Sequence, residues 1–401
     1  MLTETFTDPA MAPARTLRPE NETMLPHPRN FQGIPGVAIT AGDHLHAVWY
    51  GGGSGEGPDN FTMLARSRDG GLTWSGIHTV IFHDHPMVRT FDPVVWTAPD
   101  GVLWVFYAQA FQWWDGRAGV WAITCCQPDA ETMEWSVPRR IADGVMMNKP
   151  TVLRDGRWFL PVAGWSHAPC DDPGEPERWV PKEFNHWGSV TPGSKVIVSM
   201  DGGVSFQEIS SLAVDNVCFD EHMLVEKRDG RLWMLIRGID GIIESFSRDG
   251  GKTWSPPAPS AIPHIDSRFF IRRLFSGRLL LIRHQTPAER EGSDAGGPPA
   301  GELPPGSVRA FLTAYLSEDD GETWSGGLLL DERKGVSYPD GDQLADGRIV
   351  ITYDYKRRHE KIIYLASFSE EDVFAGACLS GGSGLRMVVN QGPTETAGKM
   401  D

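Results

Sequence analysis

Four polar residues with charged or nucleophilic side chains lie beside short apolar segments of this 401-residue chain. Glu221 and Arg237 are the two ends of the segment EHMLVEKRDGRLWMLIR. Arg309 begins the run RAFLTAYL, and Tyr338 lies in the sequence SYPD. Arginine binds carboxylates through paired hydrogen bonds, and a tyrosine hydroxyl becomes a nucleophile when a neighbouring base takes its proton. These residue types therefore suit chemistry on an anionic substrate, provided that the fold brings them together.

The elements that must position these residues are short β-strands. The chain is rich in glycine (45 residues), proline (30) and tryptophan (15), and turn residues separate its short apolar runs. No long stretch keeps a helical apolar period. The sequence therefore predicts an all-β protein.

One short motif recurs along the chain. It reads SRDGGLTW at Ser67–Trp74, SRDGGKTW at Ser247–Trp254 and SEDDGETW at Ser317–Trp324, with a weaker copy, SMDGGVSF, at Ser199–Phe206. The aspartate can accept hydrogen bonds from turn amides, the glycines allow positive φ, and the aromatic residue packs where the next strand begins. Each copy therefore predicts a hairpin turn, and its aspartate is expected to form the turn rather than to catalyse a reaction.

The spacing of the copies predicts the number of repeats. Their first residues lie 132, 48 and 70 residues apart (67 to 199 to 247 to 317), whereas one blade of a β-propeller takes about 40–50 residues. The prediction is a six-bladed β-propeller over residues 30–378, with five or seven blades as the alternatives, and with tails at 1–29 and 379–401. The first strands, near Phe31 to Tyr50, and the last, Ile349 to Phe368, are expected to share a blade and close the ring.

The repeated motif matches the Asp box, S-x-D-x-G-x-T-W, and the chain resembles the sialidase family. The resemblance becomes specific in the segment from Glu221 to Arg237, at Arg309, and in the sequence from Tyr338 to Asp354. It implies that Tyr338 is the nucleophile and that Glu221 polarises it. It also implies that Arg237 and Arg309 belong to a group of three arginines that binds the substrate carboxylate. A neutral tyrosine nucleophile avoids the repulsion that a carboxylate nucleophile would meet from such a substrate.

This chain matches the sialidase pattern less clearly at the acid/base residue and at the first arginine. Sialidases carry an aspartate acid/base in a loop before the first Asp box, and the loop GGGSGEGPDN here offers Asp59, which we favour, and Glu56. Sialidases also begin with Arg-Ile-Pro, whereas this chain has Gly33 in place of that arginine. Either another arginine takes over, with Arg89, Arg272 and Arg273 as candidates, or the substrate is a sugar other than sialic acid.

Further pocket candidates are predicted from their positions beside strands. We expect His222, Arg89, Asp92 and Lys149 to contact the substrate. Metal binding is not expected, because His83, Asp84 and His85 alternate along one strand and leave too few ligands. Five cysteines without regular spacing indicate neither a disulfide framework nor a zinc site, and no cofactor is expected.

The expected function is an exo-acting, retaining, sialidase-like glycoside hydrolase that takes an acidic sugar. A uronate-directed lyase or a non-sialic glycosidase on the same fold stays open, as does a glycan-binding propeller without catalysis. The net charge of −16 argues against nucleic acid and anionic membranes as partners. Residues 1–15 lack the basic and apolar regions of a signal peptide, so a cytoplasmic location is expected.

Overall fold

The computed structural model describes residues 8–112, 118–165, 191–217, 219–291 and 309–393. Within these ranges the strands form six antiparallel sheets. Neighbouring sheets contact one another around a ring, and the last sheet returns to the first. The predicted six-bladed β-propeller is therefore confirmed.

The six sheets are numbered as blades 1 to 6 in chain order. Blade 1 contains β1 (Arg15–Leu17), β2 (Gln32–Ile39), β3 (Leu45–Gly51), β4 (Phe61–Ser67) and β5 (Thr79–Phe82). Blade 2 contains β6 (Val88–Thr97), β7 (Leu103–Phe111), β8 (Gly119–Cys125) and β9 (Arg139–Asp143). Blade 3 contains β10 (Val145–Met146), β11 (Thr151–Val152), β12 (Trp158–Gly164), β13 (Gly193–Ser199) and β14 (Gln207–Leu212).

The second half of the ring repeats this order. Blade 4 contains β15 (Met223–Glu226), β16 (Leu232–Gly238), β17 (Gly241–Ser247) and β18 (Ala258–Pro259). Blade 5 contains β19 (Phe270–Arg273), β20 (Leu279–His284), β21 (Leu312–Ser317) and β22 (Ser325–Asp331). Blade 6 contains β23 (Val336–Gln343), β24 (Ile349–Tyr355), β25 (Ile362–Phe368) and β26 (Gly384–Gln391). Short helices lie at Pro9–Met11, Glu22–Met24, Pro287–Glu291 and Glu370–Ala375.

The core lies between the faces of neighbouring blades. At the junction of blades 2 and 3, for example, the rings of Trp96 and Trp104 meet Trp158 edge-on, with centroids 4.8 and 5.7 Å away. Because each sheet is covered on both faces, most strand residues are buried and the strands read as continuous apolar runs. Among the described residues no helix is long and apolar enough to cross a membrane.

The repeated motifs form the turns between the last two strands of blades 1, 3, 4 and 5, namely β4–β5, β13–β14, β17–β18 and β21–β22. In the first copy Asp69 Oδ1 accepts hydrogen bonds from Ser67 Oγ (2.8 Å) and Thr73 N (2.9 Å). The hydrogen bonds from Thr73 lower the pKa of Asp69. The innermost strands of these four blades are β2, β11, β15 and β19, and the strand before each turn runs parallel to the innermost strand of its blade. These turns therefore lie at the end of the ring opposite the start of the innermost strands.

The ring closes by a different route from the one that we expected. The first and last strands belong to separate sheets, so the prediction that they share a blade is wrong. Backbone amides of β2 instead donate to carboxylates of blade 6, from Val37 N to Asp340 Oδ2 (2.9 Å) and from Ile34 N to Asp354 Oδ2 (2.8 Å). A shared sheet is not needed, because each terminal blade is completed by strands of its own.

Strands also lie outside the predicted range 30–378. β1 pairs with β5 at the outer edge of blade 1, and β26 pairs with β25 at the outer edge of blade 6. Buried Arg29 donates from Nη1 to Asn390 Oδ1 at 2.9 Å, which joins the two regions. Segments that the sequence analysis treats as tails therefore contribute outer strands to the propeller.

Candidate active site at one end of the central axis

Three inner strands carry the same local irregularity at one end of the ring. Register shifts interrupt β2 between Gly33 and Gly36, β6 between Phe91 and Val94, and β23 between Ser337 and Asp340. The residues at the three interruptions are Ile34, Asp92 and Tyr338, with φ of 56°, 45° and 55°, and each is followed by proline.

These bulges direct side chains toward the axis. Proline has no N–H for the strand ladder, so the ladder is already interrupted at these points. A β-bulge bends the strand and re-aims the side chain at the extra residue. Glu221, just before β15, has a similar φ of 44°. Ile34, Asp92, Glu221 and Tyr338 all line one cavity, as is common for residues held in sparsely populated backbone conformations at functional sites.

This cavity has a volume of about 150 Å³ and receives side chains from all six blades. Aromatic and aliphatic side chains, including Trp165 and Phe219, form part of its wall. The arginines and carboxylic acids of the wall are Glu56, Arg89, Asp92, Glu221, Arg237, Arg309 and Arg357. Four arginines against three carboxyl groups give a wall suited to an anionic ligand, although the whole chain is acidic.

Tyr338, Glu221 and Arg237 form a hydrogen-bonded group in this cavity. The Tyr338 hydroxyl donates to Glu221 Oε1 at 2.7 Å, and Arg237 Nη1 donates to the same Oε1 at 2.8 Å and to the tyrosine oxygen at 3.1 Å. Arg237 Nε donates to Asp266 Oδ1 at 2.7 Å. Glu221 Oε2 is buried with no hydrogen-bond partner among the described residues. The structure thus brings together three residues that lie up to 117 positions apart in the chain.

The protonation state of Tyr338 follows from its surroundings. Burial, and then the charge of Glu221, raise its pKa to about 12, against the opposing effect of Arg237, Arg309 and Arg357. The phenol is therefore neutral at neutral pH, and Glu221 is the nearest acceptor for its proton. The Arg309 guanidinium carbon lies 5.4 Å from the centre of the Tyr338 ring.

The cavity also includes Arg89 and Asp92, two residues that the sequence predicts to contact the substrate. Arg89 donates to Asn60 Oδ1 at 2.9 Å, and its guanidinium carbon lies 3.7 Å from the centre of the Phe91 ring. Burial, and then the nearby charge of Glu56, raise the pKa of Asp92 to about 8. Asp92 therefore carries a proton at neutral pH.

Three predicted site residues do not line this cavity. Asp59 is exposed over 58% of its side chain, and its Oδ1 lies 3.7 Å from His27 Nδ1. Glu56, on the same loop, is the carboxylate that lines the cavity. His222 is buried between strands with Nε2 2.8 Å from Lys195 O. Burial lowers its pKa to about 4.

Lys149 lies outside this cavity. Its ammonium group forms a buried ion pair with Asp340, and it lines a separate space of about 300 Å³. Arg272 and Arg273 line that space too, away from Gly33. Side chains on successive positions of an inner strand face different directions and depths, and sequence position alone does not distinguish them.

One arginine of the cavity, Arg357, was not predicted from the sequence. Arg357 follows β24, and its side chain lies directly over Gly33: a Cβ atom added to Gly33 would be 2.6 Å from Arg357 Cδ. Two signals pointed toward this region, the glycine beside an X-Pro bulge and the Asp354 that precedes the arginine by three positions. Among the described residues no group of three or more histidine, cysteine or acidic side chains could hold a metal ion.

Fold and site together define a β-propeller with an arginine- and tyrosine-lined axial cavity. Residues 43–351 match the model of the BNR repeat-like domain, and the chain belongs to this family. No curated protein shows significant similarity to the sequence.

Solved structures with the same fold are similar to this chain at low sequence identity. One is the intramolecular trans-sialidase from Ruminococcus gnavus (TM-score 0.63, 12% identity, 89% of this chain and 98% of that one). Another is a protein of unknown function from Dyadobacter fermentans (TM-score 0.59, 16% identity, 87% and 96%). A third is the α-L-arabinanase of Penicillium chrysogenum (TM-score 0.54, 13% identity, 90% and 99%). At these identities the likeness concerns the fold.

Proposed function

We propose that this protein is a retaining glycoside hydrolase of sialidase type that removes a terminal acidic sugar. The observation that carries the proposal is the contact of the Tyr338 hydroxyl with both Glu221 and Arg237 inside an axial cavity. Tyrosine beside a carboxylate base is an activated nucleophile. The similar fold of the Ruminococcus gnavus trans-sialidase, whose structure contains oseltamivir carboxylate, supports a substrate of this class.

In the first step Glu221 takes the phenolic proton and the Tyr338 oxygen attacks the anomeric carbon. The bond from that carbon to the leaving oxygen breaks, and the leaving oxygen receives a proton from an acid in the cavity. In the second step the acid that has lost its proton to the leaving group acts as a base and deprotonates water. The hydroxide then displaces the Tyr338 oxygen from the anomeric carbon. The tyrosine oxygen then recovers its proton from Glu221, so the enzyme returns to its starting state.

We assign the acid/base role to Asp92 in place of Asp59. Asp92 lines the cavity, and burial together with the charge of Glu56 raises its pKa to about 8, so it holds a proton that it can donate at neutral pH. Neighbouring carboxylates whose pKa values are pushed apart commonly divide the acid and base roles between them. The exposed position of Asp59 offers no comparable protection from water.

The substrate anion is assigned to the guanidinium groups beside the nucleophile. Arg237 is buried with its Nη1 already at the tyrosine oxygen, and Arg309 faces the ring of the same tyrosine. Arginine forms the stronger, charge-assisted hydrogen bonds with carboxylates. An acidic group attached close to the anomeric carbon would therefore bind within reach of Tyr338.

The test is the substitution Tyr338→Phe, which removes the nucleophilic oxygen and keeps the ring. We expect turnover of a chromogenic acidic α-glycoside to fall by about 10²-fold or more. Tyr107→Phe is the matched control, since Tyr107 is also fully buried and its hydroxyl has no hydrogen-bond partner among the described residues. Undiminished turnover by the Tyr338→Phe protein would refute the proposal.

A panel of α-linked sialosides and glycuronides separates the other functions. Hydrolysis releases a free reducing sugar, whereas a lyase forms a conjugated double bond that absorbs in the ultraviolet. A glycan-binding propeller would bind members of the panel in calorimetry without turning any over. Either of these last results would contradict a hydrolase.

A further inference from the structure

The side chain of Arg357 fills the space that a side chain at position 33 would occupy. A Cβ atom at residue 33 would lie 2.6 Å from Cδ, 2.7 Å from Cγ and 2.9 Å from Nε of Arg357. The φ of Gly33 lies outside the range that disfavours other residues. The backbone conformation therefore does not require glycine at this position. Glycine is required because Arg357 fills the space that a Cβ atom would need.

The neighbours of Arg357 hold its guanidinium group at a defined place. Nε donates to Asp354 Oδ2 at 2.8 Å, and Nη2 donates to Ser337 Oγ at 3.0 Å. The same Asp354 oxygen accepts the amide of Ile34 at 2.8 Å, so the bulge of β2 and the arginine share one carboxylate. This arrangement orients the arginine before any ligand arrives, which reduces the entropy lost on binding.

The remaining end of the guanidinium group faces the cavity. Nη1 lies 3.8 Å from Glu56 Oε1, which is beyond hydrogen-bond distance. The guanidinium carbon lies 4.3 Å from the centre of the Tyr338 ring, and 17% of the side chain is exposed. A donor is thus available directly beside the candidate nucleophile.

We propose that Arg357 is an anion-binding, specificity-determining residue, and that Gly33 is required because any side chain there would displace it. The proposal rests on the proposed function, since it concerns the same ligand. It places the third guanidinium group on the turn after β24 rather than on β2. The preferred ligand then carries a carboxylate between Arg237, Arg309 and Arg357.

The experiment compares oseltamivir carboxylate with its ethyl ester, which lacks the carboxylate charge, by calorimetry. The wild-type protein is expected to bind the carboxylate more tightly. Arg357→Ala should reduce this preference about tenfold or more, as expected for loss of a hydrogen bond to a charged group. Gly33→Ala should cause a similar loss while Arg357 is still present, and it should add no further loss to the Arg357→Ala protein.

Matched controls and a second variant distinguish this result from a folding defect. Arg358→Ala removes an exposed neighbouring arginine, and Gly57→Ala adds a Cβ that meets nothing within 4 Å; both should keep the wild-type preference. Arg357→Gln retains a polar side chain of similar length and should lose the preference as well.

The outcomes separate this inference from the proposed function. If the Arg357 variants keep the full preference for the carboxylate, or if Gly33→Ala lowers the preference in the absence of Arg357, the inference is overturned while the Tyr338 mechanism stands. If the wild-type protein does not distinguish the two ligands, both the inference and the acidic-substrate part of the proposed function are overturned.

Discussion

At the scale of single residues, burial decides which groups carry protons in the cavity. Tyr338 and Asp92 have very different ordinary pKa values, and burial raises the pKa of each, to about 12 and about 8. Both are therefore neutral at neutral pH, one as a protonated nucleophile and the other as a protonated carboxylic acid. Low-dielectric surroundings disfavour the charged form of any acid, which is the common cause.

The variant Asp92→Asn tests the protonation of Asp92 through two measurements, stability and turnover. Since the folded-state pKa of Asp92 is raised, its contribution to stability is present at low pH and is lost as pH rises toward about 8. Asparagine has no such proton to lose. Between about pH 4 and pH 8 the free energy of unfolding of wild type should therefore fall relative to that of the Asp92→Asn variant. Urea denaturation at several pH values measures the difference.

Activity provides the second measurement on the same protein. Wild-type turnover that depends on protonated Asp92 should decline as pH rises through about 8, and the asparagine variant should lose most turnover across the range. Asp59→Asn, in the exposed position, should keep turnover. A large loss with Asp59→Asn and none with Asp92→Asn would return the acid/base role to Asp59.

At the scale of elements, the glycine-rich loop between β3 and β4 is organised by one buried side chain. Asn60 Nδ2 donates to the carbonyl oxygens of Gly52 (3.0 Å) and Gly55 (2.8 Å). Asn60 Oδ1 accepts from Gly57 N (2.8 Å) and from Arg89 Nη1. The loop that carries Glu56 is thereby tied to an arginine of the cavity wall.

Asn60→Ala should therefore loosen the loop and disturb Arg89 together. Several buried polar groups would lose partners, so we expect a loss of about 1–3 kcal/mol in the free energy of unfolding. We also expect a raised KM, because two residues of the cavity wall lose their support. Asn21→Ala, at an exposed turn, is the comparison and should leave KM unchanged. Wild-type stability and KM in the Asn60 variant would contradict this role.

At the scale of the whole molecule, Asp340 joins distant blades near the axis. Its carboxylate accepts the amide of Val37 from blade 1, pairs with Lys149 of blade 3, and lies 3.4 Å from Arg268 Nη2. All of these groups are buried. The junction closes the ring by side chain–backbone and ionic contacts, in the place where a shared sheet was expected.

Asp340→Ala should be strongly destabilising, because it leaves the buried ammonium group of Lys149 without its ion-pair partner. Removal of one member of a buried ion pair costs about 3–5 kcal/mol. Asp84→Ala breaks an exposed pair with Arg15 and should cost about 1 kcal/mol or less. Denaturant titrations of both variants check the contrast, and equal losses would show that Asp340 does not hold the ring together.

Local patterns in the sequence predict the class of fold and some residues of the cavity. The repeated motifs are local, since each turn is formed by residues within four positions of one another, and so their pattern predicts the hairpins of the propeller. The positions of Glu221, Arg237, Arg309 and Tyr338 were predicted by resemblance, and the structure brings all four to the cavity.

The tertiary structure alone decided how the ring closes and which other groups face the axis. Asp59 and Glu56 are three residues apart on one loop, yet only Glu56 lines the cavity among the described residues. Arg357 and Gly33 are 324 positions apart and share one volume. Local pattern specifies strands and turns, whereas the direction of a side chain on a bulge or loop depends on packing against chain that is remote in sequence.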